Sequence, residues 1–278
     1  MNMNDTNSTT NTAIISGMPD VRSNFYSNTI LNWISDKSAS ILVVGGGETD
    51  YNVLHKAGYT NVVISNLDAR LRGDEFTPYS WSYQKAEKLM YEDSSFDFVV
   101  IHAALHHCQS PHQALLEMYR VAKIGAIAFE SRDSLLMQFL EIIGLTPSYE
   151  HIAVYQNDGK FGGVNNTEVP NYIYRWTERE IEKTINTYAP IAKHQFYYQY
   201  GNDAPASFSS GKKVSFKRIF ISTVKPFYQI FTILFPKQQN LFAFRIDKPI
   251  IQSSLHQWLK LEDGQVTFNY SWAQKVHK

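Results

Sequence analysis

An α/β architecture built on a mainly parallel sheet is predicted by three features of this sequence. Short, wholly apolar runs rich in β-branched residues recur along the first half, as expected of strands buried on both faces. Helical periods alternate with them, the pattern that covers such a sheet with helices. A cluster of glycines, Gly45, Gly46 and Gly47, follows directly on the first run, where a strand turns into a helix.

The elements follow in order. Residues 25–34 carry Phe25, Ile30, Leu31 and Ile34 and are expected to form a helix ahead of the core. Ile41–Val44 is the first buried strand, and 49–56 the helix after the glycine turn. Strands are expected at 62–65, near 79–83, and at 98–101. Residues 111–122 form a helix with Ala114, Leu115, Met118 and Val121 on one face and Pro111 in its first turn. A strand at 124–129 and a helix at 135–143 come next. Residues 151–176, rich in Gly, Asn and Tyr, are too long for a plain connector. Thr177 and Glu180 have the spacing of a capping box, with Thr177 as N-cap and Glu180 reaching back, opening a helix through Ile185. Late strands are expected at 194–200 and 240–246. No internal repeat of fixed period is present.

Composition bounds the function. The chain has 278 residues, enough for one large domain with an insertion, and 44% of them are hydrophobic, which excludes general disorder. Lys plus Arg (26) equal Asp plus Glu (26), so the excess expected of a nucleic-acid binder is missing. The lone cysteine, Cys108, excludes an internal disulfide and fits a reducing cytoplasm. Residues 1–20 are polar, without the order of a signal peptide, and read as a disordered tail. Asn165 to Thr167 matches a glycosylation sequon, but nothing else points to secretion.

Glycines at a strand-to-helix turn let the backbone approach a ligand, although tight turns without ligands use them too. Asp68, just past the second strand, stands where an acid would accept hydrogen bonds from the ribose of a nucleotide-like cofactor. Beyond these, residues 86–89, 93–100 and 105–107 resemble the central motifs of class I S-adenosylmethionine-dependent methyltransferases of the small-molecule (type 11) group. Residues 117–125 and Glu130 continue the match, which covers roughly 40 to 133. The resemblance implies a Rossmann-like, mainly parallel seven-stranded sheet with helices on both faces and a reversed last strand, supplied by 240–246. It implies S-adenosylmethionine as cofactor, with Gly45, Gly46, Gly47 and Glu48 along its methionine and ribose part and Asp68 on the ribose. Ala86 and Glu87 would flank the adenine, and 102–105, starting at His102, would face the sulfonium. The chain departs from the family at Val43, where an acid is usual, at Thr49, where a glycine is common, and at Lys85, where an Asp often stands. Glu48 or Asp50 is available to replace the first acid.

Methyl transfer is an in-line displacement in which alignment supplies much of the rate, and an oxygen or nitrogen nucleophile gains from a base active near neutral pH. His107 is the first candidate, followed by His106 and His102; capping or loop positioning is the alternative for each. Glu130, Tyr172, Tyr174 and Arg175 are candidates for substrate contact, and Glu130 is as well suited to packing at the rim. His106, His107, Cys108 and His112 do not suggest a metal, because adjacent residues rarely converge on one ion, and none is expected. The Asn/Asp-Pro-Pro-aromatic motif of base methyltransferases is absent.

The whole of 21–278 is expected to be a single methyltransferase domain, with an acceptor-side insertion around 145–192 and an apolar segment around 213–237. Within the latter, 216–235 is interrupted by Lys225 and Pro226; it fits a buried helix pair, or else contact with a membrane surface. The function expected is methyl transfer to a small-molecule acceptor, a saccharide or lipid intermediate, in the cytoplasm or peripheral to a membrane. A non-catalytic methyltransferase-like binding module is the alternative, and a nucleotide-dependent oxidoreductase ranks last because the glycine spacing lacks the dinucleotide order.

Overall fold

The structure is a computed structural model that describes residues 21–203 and 226–277. The expected tail at 1–20 and the part of the apolar segment before 226 lie outside the described residues.

Seven strands form one sheet: β1 (Ile41–Val44), β2 (Val62–Asn66), β3 (Ser80–Tyr83), β4 (Phe96–His102), β5 (Ala122–Ser131), β8 (Gln195–Gly201) and β9 (Leu241–Asp247). Their spatial order is β3-β2-β1-β4-β5-β9-β8. The pairs from β3 to β5 are parallel, with Val43 opposite Ile64 and Val100. Strand β9 runs antiparallel to both β5 and β8, Phe244 lying opposite Ala128 and Tyr198. The reversed strand is therefore the last of the seven in the chain but sits second from the sheet's edge.

Alternation along β1 divides the core into two layers. Ile41 and Val43 pack with Tyr26 and Ile30 of α1 (Val21–Trp33) and with Val53 and Leu54 of α2 (Glu48–Lys56). Leu42 and Val44 face Leu115 and Met118 of α3 (Pro111–Val121) and Ile181 and Ile185 of α6 (Glu178–Tyr188). Ser110 caps α3 and Thr177 caps α6, each side chain accepting a backbone N–H of the first turn. Glu180 does not complete the expected capping box, because its carboxylate is held instead by His112 and Tyr174.

Between β5 and α6 the chain makes α4 (Leu135–Ile142), β6 (Tyr149–Glu150), α5 (Ile152–Gln156) and β7 (Asn171–Tyr172); β6 and β7 pair antiparallel. After the second break come α7 (226–234), α8 (Ile251–Ser254), the hairpin β10 (Leu259–Glu262) and β11 (Gln265–Phe268), and α9 (Tyr270–Val276). The described part of the apolar segment departs from the packed-helix expectation: Phe227, Ile230, Ile233 and Leu234 of α7 are exposed, and Thr232 is the buried member. No helix among the described residues is long and apolar enough to cross a membrane.

Candidate functional site

The carboxyl ends of β1, β2, β4 and β5 gather the chemistry, as they do in open α/β sheets. Gly45 turns the chain out of β1 with φ +64°, and a Cβ there would stand 2.7 Å from that of Ala104. The Gly46 N–H donates to the Ser65 carbonyl at 2.9 Å, and the Asn66 amide donates to the Gly46 carbonyl at 2.8 Å. A Cβ on Gly47 would meet nothing within 4 Å, so the turn is open on that side.

The acid that supports this turn is Asp50, while Glu48 is exposed. Asp50 accepts the Gly47 N–H at 2.9 Å and the Tyr26 hydroxyl at 2.9 Å. Burial raises its pKa, against the opposing pull of His102 and these hydrogen bonds. The Tyr26 ring stacks on His102 with centroids 4.5 Å apart. His102 is thus drawn towards α1 and away from the other two histidines' partners.

Asp68 leaves β2 with both carboxylate oxygens gripped by Arg70, Nε at 2.9 Å from Oδ1 and Nη2 at 2.5 Å from Oδ2. The hydrogen bonds from Arg70 lower its pKa. Arg70 in turn donates to Asn157 at 3.1 Å and lies over the Phe161 ring, so residues beyond α5 close over the second strand. Ala86 packs against the core beside Tyr91 and Leu89, and Glu87 accepts the Gln109 N–H at 2.9 Å ahead of α3.

A second constellation forms at the 3-10 turn Leu105–His107. Glu130, whose side chain is 0% exposed, accepts the Leu105 N–H at 2.8 Å and contacts His106 Nδ1 at 2.6 Å. The other nitrogen of His106 lies 3.2 Å from Glu150, and His107 Nε2 lies 3.4 Å from the same oxygen. Burial opposes charge on His106, but Glu130 and Glu150 outweigh it and lift its pKa to about 10. Its hydrogen bond holds Glu150 down at about 2. Burial and the neighbouring His106 charge lower the pKa of His107.

The candidate substrate residues separate. Tyr172 is half exposed and packs edge-on against Tyr149. Tyr174 donates to Glu180, and Arg175 is buried, bound to Glu141 at 2.9 Å and to the Pro147 carbonyl at 2.9 Å. Those two side chains tie the insertion to α4 and α6. Sequence reasoning missed Tyr26, Arg70 and Glu150. Arg70 was within reach, as it follows Asp68 by two residues, whereas no local pattern ties Glu150 to His106 across 44 positions.

The fold, with its reversed strand inboard, a glycine turn after β1 and an acid after β2, is the Rossmann-like arrangement found in class I methyltransferases. A family model described as a methyltransferase domain matches residues 51–129. The match starts just past the glycine turn. Similar solved structures include a possible histamine N-methyltransferase from Thermotoga maritima, 14% identical, covering 82% of this chain and 90% of that one with a TM-score of 0.48. A Pyrococcus horikoshii protein is 12% identical with the same coverage, 82% and 90%, and a TM-score of 0.49. The magnesium protoporphyrin IX methyltransferase of Synechocystis, solved with bound S-adenosylhomocysteine, is 12% identical, covering 82% and 84% with a TM-score of 0.44. No curated protein matches the sequence.

Proposed function

We propose that the protein methylates an oxygen, nitrogen or carbon of a small-molecule acceptor, a saccharide or lipid intermediate, with His107 as general base. The observation that carries this reading is the contrast between two adjacent histidines. His106 is held charged between Glu130 and Glu150, whereas burial and the His106 charge lower the pKa of His107 and so favour the neutral ring that a base requires.

The residues present fit the cofactor: the turn is open at Gly47, and Asp50 fixes the Gly47 amide. S-adenosylmethionine, when bound, supplies a methyl on a sulfonium whose bonding electrons return to sulfur as the acceptor takes the methyl. Gly45, Gly46 and Gly47 would line its methionine and ribose part, with exposed Glu48 at the rim. Asp68 would hold the ribose once Arg70 releases an oxygen, and Ala86 and Glu87 would flank the adenine. Residues 21–278 would form one domain, with 145–192 as the acceptor-side insertion and Tyr172 presented to substrate. A cytoplasmic location, with membrane contact through 216–235, belongs to the same reading.

The clamp of Arg70 on Asp68 favours one alternative, a non-catalytic module that no longer admits the cofactor. Calorimetric titration with S-adenosylhomocysteine separates the two. Micromolar binding that is lost in Asp68→Ala supports the methyltransferase reading and opens an acceptor screen. Absence of heat, with an unchanged Tm, supports the module.

A further inference from the structure

We propose that His106, His107 and Glu150 form a binding site for one divalent transition-metal ion of the zinc type, with Glu130 orienting His106 from behind. The site itself does not depend on whether the cofactor binds.

The donor set suits such an ion, for which imidazole and carboxylate are ordinary ligands. One oxygen of Glu150 is the shared corner, 3.2 Å from the ring nitrogen of His106 and 3.4 Å from that of His107. Ligands bound at zinc distances and tetrahedral angles stand about 3.3 Å apart, so two of the three edges already match. All three donor atoms lie within 4.8 Å of one another, which bounds the third edge. Adjacent histidines converge here because they occupy a 3-10 turn, with ring centroids 4.6 Å apart and tilted by 37°.

Three further observations point the same way. Glu130 binds Nδ1 of His106, the carboxylate–histidine arrangement that aims the other ring nitrogen at a metal. Glu130 and Glu150 flank the His106 ring at its two nitrogens, and among the described residues no Lys or Arg pairs with either. A dication that displaces the proton from His106 Nε2 would balance both carboxylates. Asn171, opposite Glu150 in the β6–β7 pairing, is fully buried, and neither polar atom of its amide has a hydrogen-bond partner. With an ion bound, the lone pair of His107 is spent as a ligand, and lowering the pKa of an acceptor hydroxyl passes from the ring to the ion. That consequence alone rests on the methyl-transfer reading.

The test is titration of the chelator-treated full chain with zinc(II), and with cobalt(II) followed by its visible ligand-field bands. One ion per chain is expected, with affinity falling at least tenfold in His107→Ala and in Glu150→Gln, and by tenfold or more in Glu130→Gln. Circular dichroism and Tm of the metal-free variants show whether each is folded, and His107→Asn provides a milder replacement should His107→Ala unfold. S-adenosylhomocysteine binding is measured on the same samples, so failure here leaves the methyltransferase reading standing. Absence of stoichiometric binding to the folded chain overturns the proposal, as does wild-type affinity in folded His107 and Glu150 variants.

Discussion

Arg70 holds Asp68 through both oxygens, and its guanidinium is backed by Asn157 and Phe161. A ribose approaching Asp68 must compete with that pair, so Arg70→Ala is expected to tighten S-adenosylhomocysteine binding several-fold, while Asp68→Ala abolishes it in the same calorimeter. Asp50 shows how a departure in sequence is made good in space. Val43 stands where an acid is usual, and Asp50, seven residues on, bonds the Gly47 amide from inside α2. Its second partner is Tyr26, so Tyr26→Phe should lower stability by about 1–2 kcal/mol, because it leaves a buried carboxylate oxygen unpaired. Urea denaturation would measure this, and an unchanged midpoint would remove Tyr26 from the support of the turn. The sequence offered Asp50 and Glu48 as equal candidates; which of the two turns inward depends on helix phase, and only three-dimensional placement decides it.

The elements of the first half were legible because each is a short buried strand or an amphipathic helix with its own period. Ser110 and Thr177 accept first-turn amides, and replacing either with Ala should cost about 1 kcal/mol of stability. The Thr177 variant matters more to the site, since α6 also presents Glu178 and Glu180 to residues from other elements; a loss at Ser110 alone would show that α6 is held by those contacts instead. Legibility fades where function concentrates. Residues 145–176 carry two-residue strands and a five-residue helix, too short for any periodicity to register. Glu150 is fixed there by the pairing of Tyr149 with Tyr172, a long-range contact with no local signature. The final hairpin was not expected, although its turn carries Asp263 and Gly264, both at positive φ, the Asp-Gly pair that two-residue hairpins favour.

At the scale of the whole molecule, balanced charge leaves no strong field, and stability against acid depends on a few desolvated pairs. Arg132, at the end of β5, meets Glu178 at the start of α6 at 2.6 Å, and Tyr200 of β8 donates to the same carboxylate at 2.6 Å. The cluster joins β5, α6 and β8, so its loss loosens the half of the sheet that holds the reversed strand. Burial acts to raise the pKa of Glu178, but the hydrogen bonds from Arg132 and Tyr200 prevail and bring it to about 2 from a usual value of 4.5. A carboxylate whose pKa is depressed by folding contributes its stability above the unfolded value and loses it as pH falls through the folded one. The contribution should therefore be complete above pH 4.5 and fade towards pH 2, worth on the order of 2–3 kcal/mol after allowance for partial exposure. Glu178→Gln leaves Arg132 buried beside a neutral amide and should cost about 3 kcal/mol at pH 7. Because the variant has no carboxylate to protonate there, its stability should fall less steeply than the parent's between pH 5 and pH 3. Urea midpoints of both proteins across that range test the assignment, and parallel curves would place the acid sensitivity elsewhere in the molecule.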